Sequence, residues 1–69
     1  MEKVILSRIG KNIRLLRLNR NMKQIELSKK CDLEKAALSR IEAGRTNLTI
    51  RTMLKISKAL DIDIVELLK

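Results

Sequence analysis

Lysine and arginine side chains dominate the chemistry of this 69-residue chain. Sixteen of them stand against eight aspartate and glutamate residues, which leaves a formal charge of +8 at pH 7. Nine of the basic residues and only two of the acidic ones lie in residues 1–30, whereas residues 31–46 carry three of each sign. A positive field of this size attracts polyanions, nucleic acid first and an anionic membrane surface second. The charges therefore predict a polyanion-binding surface built mainly from the N-terminal half.

The residue types that are missing exclude several kinds of site. The sequence has no His, Trp, Tyr or Phe and a single cysteine, Cys31. Without histidine the chain cannot assemble a Ser-His or Cys-His nucleophile, and we expect no enzyme activity. One cysteine can form neither an intrachain disulfide nor a structural zinc site, so we predict no metal and no cofactor. The lack of aromatic rings argues against stacking of single-stranded bases.

The elements that must position the charged groups are predicted to be helices of one domain. Residues 1–69 are too few for two domains, and the chain shows no linker and no repeat. The 45% apolar content is too high for a disordered basic tail, and the absence of proline with only two glycines favours helices. There is neither an apolar run of ~20 residues nor a secretory signal, so we expect a cytoplasmic location without membrane attachment.

Apolar periodicity, caps and turn residues predict an all-α fold of five helices. Asn21 and Gly44 stand where a left-handed residue ends a helix. Thr49 is a good N-cap, and Asp63 with Glu66 is typical of a capping box. The predicted helices cover residues 2–20, 24–31, 34–43, 49–60 and 63–68. The side chains expected to face the core are Ile5, Ile9, Ile13, Leu16, Ile25, Leu27, Ser28, Cys31, Ala37, Leu38, Ile41, Ile50, Met53, Ile56 and Leu60.

The second and third predicted helices are short and joined by a tight turn, which is the arrangement of a helix-turn-helix. Ser28 is small enough to let the two helices approach closely, while Leu27, Leu38 and Ile41 form their shared core. The outer face of the third helix is then free to enter a DNA major groove, which is wide enough for one helix.

Two stretches, Gln24–Ser28 and Leu38–Arg45, carry a specific pattern of residues. Together with residues 13–17 and 53–60, they resemble the phage-repressor and Cro-type helix-turn-helix family, also called the XRE family. The resemblance extends from about Ile9 to Leu68 and implies a compact λ-repressor-like domain. Asn47–Ile50 also looks like the corresponding segment of small controller proteins of restriction–modification systems.

The third predicted helix carries the residues expected to read DNA bases. The resemblance implies that the positions matching Lys35, Ala36 and Arg40 reach base edges, and Ser39 lies on the same exposed face. Arg40 suits this role because a guanidinium pairs bidentately with guanine, whereas Ala36 either contacts a thymine methyl group or simply leaves room. The expected partner is therefore double-stranded DNA, bound with sequence specificity.

Residues at the start of the second helix and in the loop after the third are expected to hold the phosphate backbone. The resemblance implies that Gln24, at the start of the second helix, clamps one phosphate and that Arg45 and Asn47 meet the next ones. Lys23 is a poor helix cap and carries the wrong charge for that end. Because broken local rules tend to mark functional sites, we predict that Lys23 also contacts a phosphate.

One ion pair and two departures complete the comparison with the family. Arg17 and Glu42 match a buried pair that ties the first helix to the third. Asp32 stands where the turn usually has glycine, and aspartate enters the left-handed region less easily, so the turn is expected to differ in detail. Glu34 stands where the cap of the third helix is usually Ser or Thr; it is a poor cap, but its charge is favourable there. If Asp32 caps the helix instead, the helix starts earlier and its exposed face hardly rotates.

The C-terminal apolar residues offer a dimer surface, and family members usually act as dimers on palindromic sites. Ile62, Ile64, Leu67 and Leu68 exceed what a short final helix needs for packing, so we predict that they include a homodimer patch. The expected function is a transcriptional regulator, a repressor rather than an activator because blocking a promoter needs only binding. Two alternatives stay open: an antitoxin-like module that binds a protein partner, and membrane-surface binding by the first helix, against which the missing aromatics count.

Overall fold

The computed structural model describes residues 2–69, which form five α-helices and no strand. The helices are α1 (Glu2–Asn19), α2 (Gln24–Lys30), α3 (Lys35–Glu42), α4 (Ile50–Ala59) and α5 (Val65–Leu68). The all-α prediction is confirmed, and the first four helices begin and end within one residue of their predicted bounds. Helix α1 packs against α3 and α5, and α2 packs against α3 and α4. No helix within residues 2–69 is long and apolar enough to cross a membrane.

Each of the helices α1 to α4 is followed by a residue in the left-handed region. The backbone N–H of the next residue then returns to a carbonyl five residues earlier, as Met22 does to Arg17 at 3.1 Å. This Schellman motif satisfies carbonyls that would otherwise lack partners and turns the chain sharply. The prediction of a left-handed residue is thereby confirmed at Asn21 and Gly44. The four left-handed residues are Asn21 (φ 54°), Asp32 (φ 57°), Gly44 (φ 72°) and Asp61 (φ 56°).

The core of the described chain is a single cluster of buried apolar side chains drawn from all five helices. Burial of each large side chain stabilises the fold by roughly 1.5–3 kcal/mol relative to leaving it in water. Partly buried side chains, among them Leu16 and Leu33, pack around the cluster. The buried members are Ile9, Ile13, Leu27, Cys31, Leu38, Ile41, Met53, Ile56, Leu60 and Leu67.

Three isoleucines predicted to face the core are exposed instead. Ile5, Ile25 and Ile50 have 42% to 61% of their surface in contact with solvent. Ile25 lies two residues before the buried Leu27, about 200° around the helix axis, so the short α2 buries only one of them. Ile5 and Ile50 lie in the first turns of α1 and α4, one turn before the first buried apolar residue of each helix.

The start of α5 differs from the predicted capping box. The Asp63 carboxylate accepts a hydrogen bond from the Val65 N–H at 3.0 Å. The Glu66 N–H donates to the Asp63 carbonyl at 3.0 Å, but the Glu66 carboxylate pairs with Lys69 at 2.8 Å instead of accepting from the Asp63 N–H. The reciprocal box is therefore wrong, and α5 begins two residues later than predicted. The other end of α5 is tied to α1, because Asn12 Nδ2 donates to the Leu67 carbonyl at 3.0 Å.

Candidate nucleic-acid interface

Helices α2 and α3 form a helix-turn-helix around the small residue Ser28. The side chain of Ser28 is buried, and its hydroxyl donates to the Ile25 carbonyl at 2.9 Å. Its own carbonyl accepts from the Leu33 N–H at 2.8 Å, which closes the turn. Leu27 and Leu38 are fully buried between the two helices and the rest of the core. The turn is therefore fixed on its inner side and leaves the outer side of α3 open.

The outer side of α3 presents the residues predicted to read bases. Leu38 and Ile41 face the core, and the side chains between them on the helix face solvent. The structure thus brings the predicted base-reading residues together on one open helix face, where no other element covers them. That face consists of Lys35, Ala36, Ser39 and Arg40, all of which are exposed.

A buried ion pair holds α3 against α1. Arg17 Nε donates to Glu42 Oε2 at 2.8 Å, and Arg17 Nη2 donates to Glu42 Oε1 at 3.0 Å. Both side chains are more than nine-tenths buried. The remaining Arg17 nitrogen, Nη1, donates to the Met22 carbonyl at 2.7 Å. The structure therefore pairs Arg17 with Glu42 as the sequence predicts. The additional hydrogen bond to Met22 also ties the Arg17 side chain to the turn after α1.

The same carboxylate also orients the first residue of α2. Gln24 Nε2 donates to Glu42 Oε1 at 3.0 Å, so one side-chain amide hydrogen of Gln24 is committed inside the protein. This hydrogen bond connects α2 to the ion pair between α1 and α3, a link that the sequence prediction for Gln24 missed. The role of Gln24 as a phosphate clamp remains a prediction. Its side chain is oriented by the hydrogen bond to Glu42.

Lys23 occupies the N-cap position of α2 with an extended backbone, φ −81° and ψ 157°. Its ammonium group has no lone pair with which to accept a hydrogen bond, so it cannot cap the helix. Glu26 supplies half of a capping box instead, because its Oε1 accepts from the Lys23 N–H at 3.1 Å. The Lys23 side chain is exposed and has no carboxylate partner within residues 2–69.

Arg45 and Asn47 lie in the loop between α3 and α4, and both are exposed. Gly44 begins this loop in the left-handed conformation, and the Arg45 N–H returns to the Arg40 carbonyl at 2.9 Å. At the other end of the loop, the Thr49 hydroxyl accepts from the Thr52 N–H at 3.1 Å and starts α4 as predicted. The loop is therefore held at both ends while its polar side chains face solvent.

The basic groups around α3 are available to an external partner. Within residues 2–69 the ion pairs are Arg17–Glu42 and Lys69–Glu66, and neither uses a residue of the exposed α3 face or of the loop that follows. The described residues also contain no group of three potential metal ligands. What remains is an open cationic surface next to a helix of groove-fitting width, which can bind phosphates and present side chains to base edges.

The family described as "Helix-turn-helix" (HTH_3) matches residues 13–67, which is most of the chain. The chain belongs to this helix-turn-helix family. The control protein C.BamHI of Bacillus amyloliquefaciens is 40% identical over 60 residues, covering 86% of this chain and 74% of that protein. Membership makes the chain a DNA-binding regulator of transcription that resembles the controller proteins of restriction–modification systems.

Solved structures of other helix-turn-helix proteins share the fold. The restriction-modification controller protein C.AhdI from Aeromonas hydrophila has a TM-score of 0.88 at 31% identity, over 90% of this chain and 94% of that chain. The hypothetical transcription factor NHTF from Neisseria has a TM-score of 0.91 at 29% identity, over 100% of this chain and 79% of that chain. The λ-repressor-like architecture expected from the sequence agrees with these comparisons.

The predicted dimer patch of this helix-turn-helix protein needs a correction. Leu67 is fully buried in the core, so it cannot form part of a surface patch of the folded chain. Ile62 and Ile64 are partly buried against the core, and Leu68 is exposed. Helical spacing identifies a member that the prediction left out, because Val65 lies three residues before Leu68 on the same side of α5 and is also exposed.

Proposed function

We propose that the chain is a sequence-specific, double-stranded DNA-binding regulator that acts as a homodimer on a palindromic operator. The observation that carries the proposal is the open face of α3. The Arg17–Glu42–Gln24 network holds this helix in place, and the basic residues beside it form no ion pair within residues 2–69. A recognition helix of this kind lies in the major groove with its N-terminal part against base edges. Lys35, in the first turn, and Arg40, near the end, are the two exposed cations on α3.

Base reading is divided among the side chains of α3 by their chemistry. Arg40 and Lys35 donate hydrogen bonds to the O6 and N7 acceptors of guanine. Ser39 can donate or accept, and Ala36 offers only a methyl group, which suits the methyl group of thymine. This mixture of long donors and a short apolar side chain is suited to discrimination, whereas a surface of lysines alone would bind every duplex alike.

Phosphate binding is assigned to residues at the two ends of the helix-turn-helix. Lys23 and Gln24 lie at the start of α2, and Arg45 and Asn47 lie in the loop after α3. Contacts on both sides of α3 would fix the register of the helix in the groove, which is what backbone contacts do in specific complexes. Each neutralised phosphate steepens the salt dependence of binding by about 0.9 in the log–log slope.

Dimerisation is assigned to the exposed apolar surface formed by the end of α4 and by α5. Leu54 lies with Ile62 and Ile64 along one groove, and Val65 and Leu68 are exposed on α5. An isologous contact of two such surfaces would bury these side chains and place two copies of α3 about one turn of DNA apart, ~34 Å. Binding of this dimer over a promoter would repress transcription, and the similarity to C.BamHI and C.AhdI favours a controller of a restriction–modification system.

The experiment that tests this function is selection of bound sites from a random duplex library, combined with light scattering of the free protein. We expect a palindromic consensus with half-site centres about ten base pairs apart and a mass of two chains. The Leu68→Glu variant should become monomeric and lose most of its affinity for the full palindrome, while Leu18→Glu, an equal change on the outer face of α1, serves as the control. Absence of an enriched sequence would refute specific binding, and an asymmetric consensus would refute the dimer.

A further inference from the structure

Glu34 is an acidic residue at the start of the proposed recognition helix, and its side chain does not cap that helix by a hydrogen bond. It is the N-cap of α3, with φ −73° and ψ 148°, yet its side chain accepts no hydrogen bond from the helix. Thr49, by contrast, is an N-cap whose side chain does cap its helix, because its hydroxyl accepts from the Thr52 N–H at 3.1 Å. The Glu34 side chain is exposed and has no basic partner within residues 2–69.

A free carboxylate at this place has an electrostatic cost for DNA binding. The N-terminal part of a recognition helix lies close to the duplex, where phosphates repel negative charge. Glu34 is followed directly by Lys35 and Ala36, two residues of the proposed base-reading face. In the free protein this negative charge suits the positive end of α3, but next to DNA a carboxylate is favourable only where a base presents a hydrogen-bond donor to it.

The chemistry of the major groove narrows that donor to one base. An ionised carboxylate accepts hydrogen bonds and cannot donate. Guanine presents the acceptors N7 and O6, thymine presents O4, and adenine presents its N6 donor beside the acceptor N7. Cytosine alone presents its N4 donor without an adjacent acceptor. A carboxylate is therefore attracted to cytosine and repelled to different degrees by the other three bases.

We propose that Glu34 is a specificity-determining residue that accepts a hydrogen bond from cytosine N4 at one position of each half-site. This inference rests on the proposed function, because it requires that α3 enters the major groove. Glu34 then acts mainly by rejecting sites that place an acceptor opposite its carboxylate, which is how specificity is gained without a large gain in affinity.

The test is site selection from a random duplex library with the wild-type chain and the variants Glu34→Gln, Glu34→Ala and Asp32→Asn. We expect a cytosine in each wild-type half-site and a shift to adenine at that position for Glu34→Gln, because glutamine pairs bidentately with adenine N6 and N7. Glu34→Ala should bind the cytosine site and its variants with nearly equal affinity, where the wild type discriminates by about tenfold. Asp32→Asn removes the same charge two residues away and should leave the consensus unchanged.

The outcomes separate this inference from the function on which it rests. If Glu34→Ala and Glu34→Gln keep the wild-type consensus and bind all duplexes more tightly, the carboxylate only repels phosphates and the proposal is wrong. A consensus that changes equally in Asp32→Asn would also refute it, since general charge would then be the cause. If the wild-type chain selects no sequence at all, the proposed function itself fails. Circular dichroism of each variant checks that α3 is retained.

Discussion

Gly10 of α1 lies directly against the backbone of Glu42 at the end of α3. A Cβ atom added to Gly10 would contact the Ile41 carbonyl oxygen and lie 2.7 Å from the carbonyl oxygen of Glu42. The two helices therefore meet backbone to backbone at Gly10, about two turns of α1 before Arg17, which binds the Glu42 carboxylate. Because α3 carries the proposed base-reading face, this glycine contact contributes to the orientation of the interface as well as to stability.

The first prediction is that Gly10→Ala destabilises the protein, although alanine is the better helix former by about 1 kcal/mol. Overpacking against backbone atoms that cannot rotate away should cost about 1–3 kcal/mol net. Urea unfolding followed by circular dichroism measures the change. Lys11→Ala, at the exposed neighbouring position, is the control and should change stability little. A Gly10→Ala variant as stable as the wild type would show that α1 can move away from α3 without loss.

The second prediction concerns the Arg17–Glu42 pair. Arg17→Ala leaves the buried Glu42 carboxylate with only the Gln24 amide and removes the donor to the Met22 carbonyl. Breaking a buried pair by deleting one partner costs about 3–5 kcal/mol, which is a large share of the stability of a small domain. Arg14→Ala on the exposed side of α1 is the matched control. Equal unfolding midpoints in urea for the two variants would contradict a structural role for the pair.

The third prediction concerns the turn of the helix-turn-helix. Asp32 adopts φ 57°, a conformation that glycine reaches without steric cost. Asp32→Gly should therefore stabilise the protein by about 0.5 kcal/mol, after allowance for the greater freedom of glycine in the unfolded chain. Lys29→Gly, inside α2, should lose about 1 kcal/mol in the same thermal unfolding assay. Loss of stability in Asp32→Gly would mean that the aspartate side chain stabilises the turn.

These cases show which parts of the molecule local sequence determines. Asn21, Gly44 and Thr49 act within one turn of chain, and the helix ends they predict are confirmed. The contact of Gly10 depends on how closely two helices approach in space, which no local pattern encodes. Ile25 shows a related limit, because its apolar side chain fits a helix pattern but the short α2 has no core on that side.

The candidate site divides in the same way. The exposed face of α3 follows from helical periodicity once Leu38 and Ile41 are assigned to the core. The hydrogen bond from Gln24 to Glu42 joins two helices and depends on the position of the carboxylate in space. The sequence therefore predicts Gln24 as a site residue but not its hydrogen bond to Glu42. The sequence predicts that Ile62, Ile64, Leu67 and Leu68 are divided between core and surface but not which of them is buried. The burial of Leu67 depends on how α5 packs against α1, which local sequence does not encode.

The fourth prediction is a pH dependence of stability caused by Cys31. Burial raises the pKa of the Cys31 thiol above its ordinary value of 9.0, and the charge of Lys55 opposes this in part. The unfolded thiol ionises more easily than the folded one, so its contribution to stability is complete below pH 9 and decreases as pH rises above 9. Urea unfolding between pH 7 and pH 10 should show a steeper loss for the wild type than for Cys31→Ala. Parallel curves for the two proteins would contradict this assignment.

The fifth prediction separates base reading from phosphate binding. Arg40→Ala should cost about 1–3 kcal/mol on the selected site and much less on a scrambled duplex, because its guanidinium is assigned to a guanine edge. Arg45→Ala should weaken both duplexes alike and reduce the magnitude of the log–log salt slope by about 0.9 per bound chain, because it is assigned to a phosphate. Both side chains are exposed, so neither change should unfold the protein, and Lys11→Ala provides a control for loss of one positive charge. Fluorescence anisotropy at several salt concentrations measures affinity and slope together. If Arg40→Ala weakens the two duplexes equally, Arg40 binds the backbone, and specificity must come from other residues of α3.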